Sequence, residues 1–268
     1  SYECENNEVA RGASVTFATD GYVQITLKES VEGVAVEENV LHVAGTVAEN
    51  TEVTVLVTST LNAGVTQEIV FKVIRAYQDV SIETALDFSL EGESSSVQAE
   101  IEGSVERIVA GETQVTEGIS VSEGTLTLTK AALTTLLNGK QYAEGLTVNI
   151  FTSADKRYAA TLNIATMLID SADDLTAITQ ANTVATIDAY YIVTADIDAS
   201  TAGVTVNCTN GQTYPNVVRF VNNDAGNSSV AGFAGIFDGR GHIISNITSY
   251  AYGYNALGGL FGQLLEGS

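Results

Sequence analysis

The chain of 268 residues has no tryptophan, one proline, one methionine and two cysteines. Cations are also scarce: 11 Lys and Arg face 33 Asp and Glu, for a formal charge of −22. Each shortage excludes something. A surface this acidic repels phosphate backbones, and no basic cluster offsets it, so nucleic acid is not an expected partner. The same charge leaves room for divalent cations. Cys4 and Cys208, with the distant His42 and His242, do not make the tetrahedral ligand set that zinc takes. The spacing of the two cysteines leaves both a bridge and two free thiols open. No apolar run approaches the roughly 18 residues that cross a bilayer, so no transmembrane segment is expected. The start, SYECENNEVA, has neither the basic flank nor the apolar stretch of a signal peptide, although a cleaved leader can precede it. SYEC likewise lacks the apolar residues of a lipid-anchor site at Cys4. The chain contains no G-x-S-x-G elbow, no HExxH and no P-loop.

What is present describes an all-β protein. Val, Ile, Thr and Tyr suit pleated, half-buried surfaces, while Gly, Asn and Asp supply turns. Apolar residues make up 45% of the chain, ample for buried cores. In the first region, 1–75, VTFA, VQITL, VLHVAG, EVTVLVTST and QEIVFKVI alternate at period two. Turn residues at 19–21, 31–33, 48–50 and 61–64 interrupt them. This spacing predicts a sandwich. The second region, 76–168, offers DVSIETALDFSL, SVQAEIE, ISVSEGTLTLT, LTVNIFTS and YAATLNIAT as strands. Between them, Leu133, Leu136 and Leu137 fall at helical spacing before the Asn138–Gly139 stop, predicting a short helical turn.

At 169–268 the acid changes. Residues 1–168 hold 20 of the 21 glutamates and every lysine, whereas the rest holds eight aspartates, one glutamate and half of the 24 glycines. Short Asp and Asn side chains bond their own backbone in turns, so a more tightly coiled fold is expected here. LIDSADDLTAITQANT opens it as a short helix, with Ser171 as cap and Leu175 and Ile178 as apolar face. YYIVTADID, VTVNC, VVRFV, FAGIFDG, HIISNITSYA and GGLFGQLL follow as strands.

Three resemblances attach to these segments. Val40–Ile74, with its VLHVAG step and final EIVFKV strand, resembles the closing half of bacterial immunoglobulin-like domains. GTLTLTKAALTTLLNG, LTVNIFTS and YAATLNI, in that order, resemble immunoglobulin-like accessory modules of bacterial carbohydrate-degrading proteins. SADDLTAI, YYIVTADIDAS, FAGIFDGRGHIISNI and GGLFGQL resemble, in order and spacing, the GLUG family of bacterial surface proteins. That last resemblance implies a right-handed parallel β-helix behind a capping helix, on a secreted or cell-surface protein. The architecture expected is two immunoglobulin-like β-sandwiches followed by a short, truncated right-handed parallel β-helix. GGLFGQLLEGS stops just after the second motif, so further coils, or a partner at the end of the stack, are expected beyond it.

The motif FAGIFDGRGHIISNI raises a chemical question, because Asp238, Arg240 and His242 fall two residues apart. As fold grammar, Gly235, Gly239 and Gly241 turn corners, and Asp238 and Asn246 bond the amides of turns. Phe233, Phe237, Ile243, Ile244 and Ile247 supply the stacked apolar row, and Gly259, Phe261 and Gly262 repeat the pattern. As an active site, Asp238 would need a second carboxylate, Asp196 or Asp198, from another coil, as in polysaccharide hydrolysis. The structural reading is preferred and no catalytic residue is assigned. Asp196 and Asp198, spaced i, i+2 in ADID, are candidate calcium ligands with NNDAGNSS at 222–229; calcium is the one cofactor considered. Tyr250, Tyr252 and Tyr254 alternate in SYAYGYN as a candidate strip for a glycan or protein ligand. The sequons at Asn207, Asn227 and Asn246 are no more than chance supplies. The function expected is non-catalytic and adhesin-like: presenting a surface to glycans or to host or extracellular proteins. A β-helix polysaccharide lyase or hydrolase and a structural stalk are the alternatives.

Overall fold

The computed structural model describes residues 5–181, 187–207, 211–219, 232–249, 259–261 and 264. Its described elements are mostly strands, with two α-helices. The chain divides into two compact units, Ser1–Gln78 and Asp79–Ser268.

The first unit contains β1 (Glu8–Ala10), β2 (Ser14–Thr16), β3 (Val23–Leu27), β4 (Val34–Glu37), β5 (Val40–Val43), β6 (Glu52–Ser59) and β7 (Thr66–Ile74). They form two sheets, β1-β7-β6-β3 and β2-β5-β4. The period-two pattern does the work: Val53, Val55, Phe71 and Val73 point in from one sheet, Val15, Leu41 and Val43 from the other. One core joins both, with Phe17 set edge-on to Phe71 at 5.9 Å between ring centres. All pairings are antiparallel except that of β1 with β7, which places Glu8, Val9 and Ala10 beside Lys72, Val73 and Ile74. The β4–β5 turn uses Glu38 and Asn39 at φ 48° and 66°, both left-handed.

The second unit begins as another two-sheet body. Its elements are β8 (Gln78–Ser81), β9 (Leu86–Ser89), β10 (Ser94–Gln98), β11 (Val105–Ala110), β12 (Thr113–Val115), β13 (Ile119–Ser122), β14 (Thr125–Thr129), α1 (Lys130–Leu137), β15 (Ala143–Thr152) and β16 (Lys156–Ala165). The sheets are β10-β14-β13 and β12-β11-β15-β16-β8, and β9 lies parallel to β16. Phe88, Ile108, Leu126, Leu128, Ile150 and Leu162 fill the space between them. The predicted helical turn is α1, whose Leu133, Leu136 and Leu137 are buried in that core. Thr129 caps its start by accepting from Ala132 N, and Asn138 ends it at φ 48°. A bulge in β15 leaves the Gly145 N–H to the side-chain oxygen of Asn163, 2.9 Å away.

The chain then changes style. After Thr166 it enters β17 (Met167–Ile169), α2 (Ala172–Ala181), β18 (Tyr190–Val193), β19 (Ile197–Asp198), β20 (Val204–Asn207), β21 (Thr213–Val217), β22 (Ile236–Asp238) and β23 (Ile244–Ser245). β17, β18 and β22 are parallel, so Met167, Tyr191 and Phe237 stand in one row. Ile187, Phe233 and Leu264 form a second parallel row, and Ile197 with Ile244 a third. Ile169, Leu175, Ile178, Tyr191, Val193 and Phe233 make the core beneath. α2 starts in a reciprocal cap: Ser171 Oγ accepts from Asp174 N, and Asp174 Oδ2 accepts from Ser171 N at 3.0 Å and Asp170 N at 2.9 Å.

One expectation changes. A strand lies at Thr213–Val217, in an antiparallel hairpin with β20; of the strand expected at VVRFV it includes Val217, while Val218 and Arg219 are outside it and 220–221 lie outside the described residues. Pro215 sits there on an edge of a two-stranded ribbon, where a missing N–H is tolerated. Ala165, Tyr190 and Ile192 form a shared small core with Tyr142, Leu168 and Ile236, inside the second unit.

Candidate functional site

The motif begins where β22 ends. Asp238 Oδ1 accepts from Arg240 N at 3.1 Å, and Oδ2 from Arg240 Nε at 2.6 Å. Held this way, Arg240 adopts φ 50°, followed by Gly241 at 79°. Gly239 keeps an ordinary φ and has open space around it, so it is not the corner residue expected; the left-handed pair is Arg240–Gly241. Gly235 is different. A Cβ there would overlap the backbone of Ala189 in the neighbouring row, so close approach demands glycine.

The far end of Arg240 reaches out of the turn. Its two terminal nitrogens donate to Asp87 Oδ2 at 2.9 Å and Oδ1 at 3.0 Å, a fork on a carboxylate of β9. Asp87 Oδ1 also accepts from Asn163 Nδ2 at 2.8 Å, the same amide that caps the Gly145 bulge. The Asp238 and Asp87 carboxylates raise the Arg240 pKa above its ordinary value. Part burial pushes the Asp238 carboxyl up, but the Arg240 side chain and amide outweigh it and leave the pKa below the usual range. Burial raises the Tyr190 hydroxyl, against the pull of Arg240.

Asp196 and Asp198 meet the next row separately. Asp196 Oδ1 accepts from Ile243 N at 2.9 Å and lies 3.2 Å from His242 Nδ1. Asp198 Oδ1 accepts from Ser200 N and from Asn246 Nδ2, both at 3.0 Å. Asn246, at φ 56°, therefore donates across rows instead of bonding a turn amide. The Ile243 amide first, then His242, lowers the Asp196 pKa; Asn246 first, then Ser200, lowers that of Asp198. General-acid chemistry calls for a carboxyl raised towards neutrality beside one that stays ionised. Asp196, Asp198 and Asp238 all move the other way.

The apolar motif residues divide. Phe233 is buried and packs on Phe261 at 5.0 Å and on Tyr191 at 6.1 Å, and Phe237 meets Phe261 edge-on at 5.4 Å. Ile244 and Ile247 pack on the same core, but Ile243 is 65% exposed and leaves the stack. Gly259 is described, at φ 143°. Gly262, Tyr250, Tyr252, Tyr254, Cys4, Cys208 and the 222–229 stretch lie outside the described residues. Among the described residues no group of three or more His, Cys, Asp or Glu is placed to hold a metal ion, and no helix is long and apolar enough to cross a membrane. A depression of about 470 Å³ lies in the first unit against Phe17, Val23, Ile25, Val57 and Ile69; none of the candidate residues lines it.

Sequence reasoning missed Asp87, Asn163 and the bond from Tyr142 Oη to Asp188 Oδ1 at 2.7 Å. The available signal was scarcity. After residue 168 the chain has only two cations, Arg219 and Arg240, among many acids, so a distant carboxylate partner was to be sought for each.

No family model matches the chain, and no curated protein is significantly similar to it. Among solved structures, one match is the Bacteroides ovatus mixed-linkage glucan utilization locus SGBP-B in complex with a mixed-linkage heptasaccharide. It is 12% identical, with 60% of this chain and 43% of that chain covered and a TM-score of 0.23. A tri-modular GH5 (subfamily 4) endo-β-1,4-glucanase from Bacillus licheniformis, complexed with cellotetraose, is 11% identical over 60% and 38%, with a TM-score of 0.21. Dpr2 Ig1-Ig2 in complex with DIP-Theta Ig1-Ig3 is 12% identical over 59% and 93%, with a TM-score of 0.20. The chain spans less than half the length of the first two. Superpositions this loose transfer neither topology nor activity.

Proposed function

We propose that this chain is a non-catalytic, modular surface or secreted protein of bacterial type, which projects and presents a binding surface for glycans or extracellular proteins. In this reading the two-sheet bodies are immunoglobulin-like spacers, and the parallel rows after Thr166 are the coils of a GLUG-type right-handed β-helix. Repeated parallel rows, a leading helix and the Gly235 contact support the coil. One observation carries the non-catalytic part: Asp238 holds Arg240, Arg240 holds Asp87, and Asp196 and Asp198 hold backbone amides with His242 and Asn246, and the Asp196, Asp198 and Asp238 carboxyls are all lowered. A ligand would then meet a surface fixed by these contacts, not a reacting acid and base.

A glycan array with the whole chain, with and without calcium and beside Tyr252→Ala, tests this reading. A polysaccharide-depolymerisation assay on the same preparations completes it. Specific binding without new chain ends is the expected result, and its loss in Tyr252→Ala assigns it to the 250–254 strip. Chain cleavage abolished by Asp238→Asn would overturn the non-catalytic reading. Neither binding nor cleavage by a folded chain would overturn presentation of a glycan-binding surface and leave a stalk or a protein-binding adhesin.

A further inference from the structure

The charged motif has one contact that no turn requires. Asp238 alone suffices to hold Arg240 in the left-handed conformation, through its amide and Nε. The guanidinium nonetheless spends both terminal nitrogens on Asp87, 153 residues earlier in the chain. Neither partner is a freely solvated surface group: the Arg240 side chain is 35% exposed and that of Asp87 19%. Asp87 is itself fixed by Asn163, which is almost fully buried and also satisfies the bulge at Gly145. A continuous chain of hydrogen bonds thus runs from the β15 bulge through Asn163, Asp87 and Arg240 to the end of β22. Three further contacts join the same two parts. Tyr142 Oη donates to Asp188, the Thr166 and Tyr190 backbones bond at 2.8 Å, and Tyr142 packs on Tyr190 at 5.9 Å.

We infer that the FDGRG turn is an electrostatic latch: Arg240 locks the outer face of the β17, β18 and β22 strands onto the 79–165 sandwich, so the two move as one body. Strands this short leave their outward apolar face to be covered by a neighbouring element. Here Ala165, Leu168, Tyr190, Ile192 and Ile236 supply the apolar part of the join. The fork supplies its direction. A guanidinium that binds a carboxylate through two parallel bonds fixes orientation as well as distance, which a lysine at that position would not. The latch holds irrespective of what the chain binds.

Hydrogen exchange by mass spectrometry on the full chain tests it, with Arg240→Ala, Arg240→Lys, Asp87→Asn and the double variant Asp87→Asn/Arg240→Ala. Removing either partner should speed exchange about ten- to a hundredfold in 86–89, 187–193 and 233–247, with α1 and 5–74 unchanged. The double variant should be no worse than Arg240→Ala, because both changes remove the same contact. Arg240→Lys should fall short of the wild type, since a point charge cannot form the fork. Arg240→Ala also removes the Arg240–Asp238 bond within the turn, so Asp87→Asn, which leaves Asp238 and Arg240 in place, decides the matter. Wild-type exchange at 187–193 and 233–247 in Asp87→Asn would overturn the latch, as would independent, additive effects of the two substitutions.

Discussion

The two parts of the second unit solve the same problem with different chemistry. Residues 79–165 rely on long strands and a continuous apolar core, with Ile108, Leu126, Leu128, Ile150 and Leu162 fully buried. The rows after Thr166 are short, from two to five residues, and much of their order comes from side chains that bond backbone. Asp238 holds Arg240 N, Asp196 holds Ile243 N, Asp198 holds Ser200 N, and Asp174 holds two amides before α2. The shift from Glu to Asp along the chain is the compositional trace of this change. A carboxylate one methylene from the backbone is tethered near the amides of its own turn, whereas Glu spends more entropy reaching them.

Substitutions separate the two regimes, beginning with the largest effect. Gly235→Ala places a methyl on the Ala189 backbone, which cannot rotate away, and should destabilise the rows by about 3 kcal/mol. Gly239→Ala, in open space, should stay within about 0.5 kcal/mol. Urea unfolding of both, followed by exchange protection at 187–193, checks the pair; equal effects would mean that the rows do not approach as closely as described. Asp174→Ala removes the acceptor of two amides and the Ser171 hydroxyl and should cost about 1–2 kcal/mol, read by the same unfolding curve. The smallest effect is on acid. The folded Asp238 pKa lies below its ordinary 3.8, so its contribution is complete above that value and is lost as pH falls through the depressed one. Protection of 233–247 should therefore persist through mild acid and fail below about pH 3.8, while Asp238→Asn shows a flatter profile.

How much of this was legible depended on whether the governing contact was local. The period-two strands, α1 with its Leu triplet and Asn138 stop, and the Ser171–Asp174 cap all lie within a few residues and could be read directly. Glu38–Asn39 could not, because a two-residue left-handed turn without glycine carries a weak signal. The start of β21 at Thr213 was not read because Pro215 counts against a strand in any propensity argument, while an edge position makes the proline harmless. Within the motif, the role of Asp238 at the Arg240 amide follows from Asx chemistry, but its partner at Asp87 does not. Nothing in LDFS announces a distant cation; the information lies in the topology that brings β9 beside β16 and β16 beside the first row.

The parallel pairing of β1 with β7 has a mechanical consequence. The chain enters the first unit through β1 and leaves it through β7, and the two strands run the same way, Glu8 beside Lys72 and Ala10 beside Ile74. A pull on the two ends therefore drags these neighbours in opposite directions along their length. The load falls on their inter-strand bonds together, in shear, whereas an antiparallel terminal pair would peel open one bond at a time. The second unit repeats the device where β9 lies parallel to β16, with Leu86 beside Leu162 and Ser89 beside Ala165. In each two-sheet body a parallel pair would therefore take tension along the chain in shear.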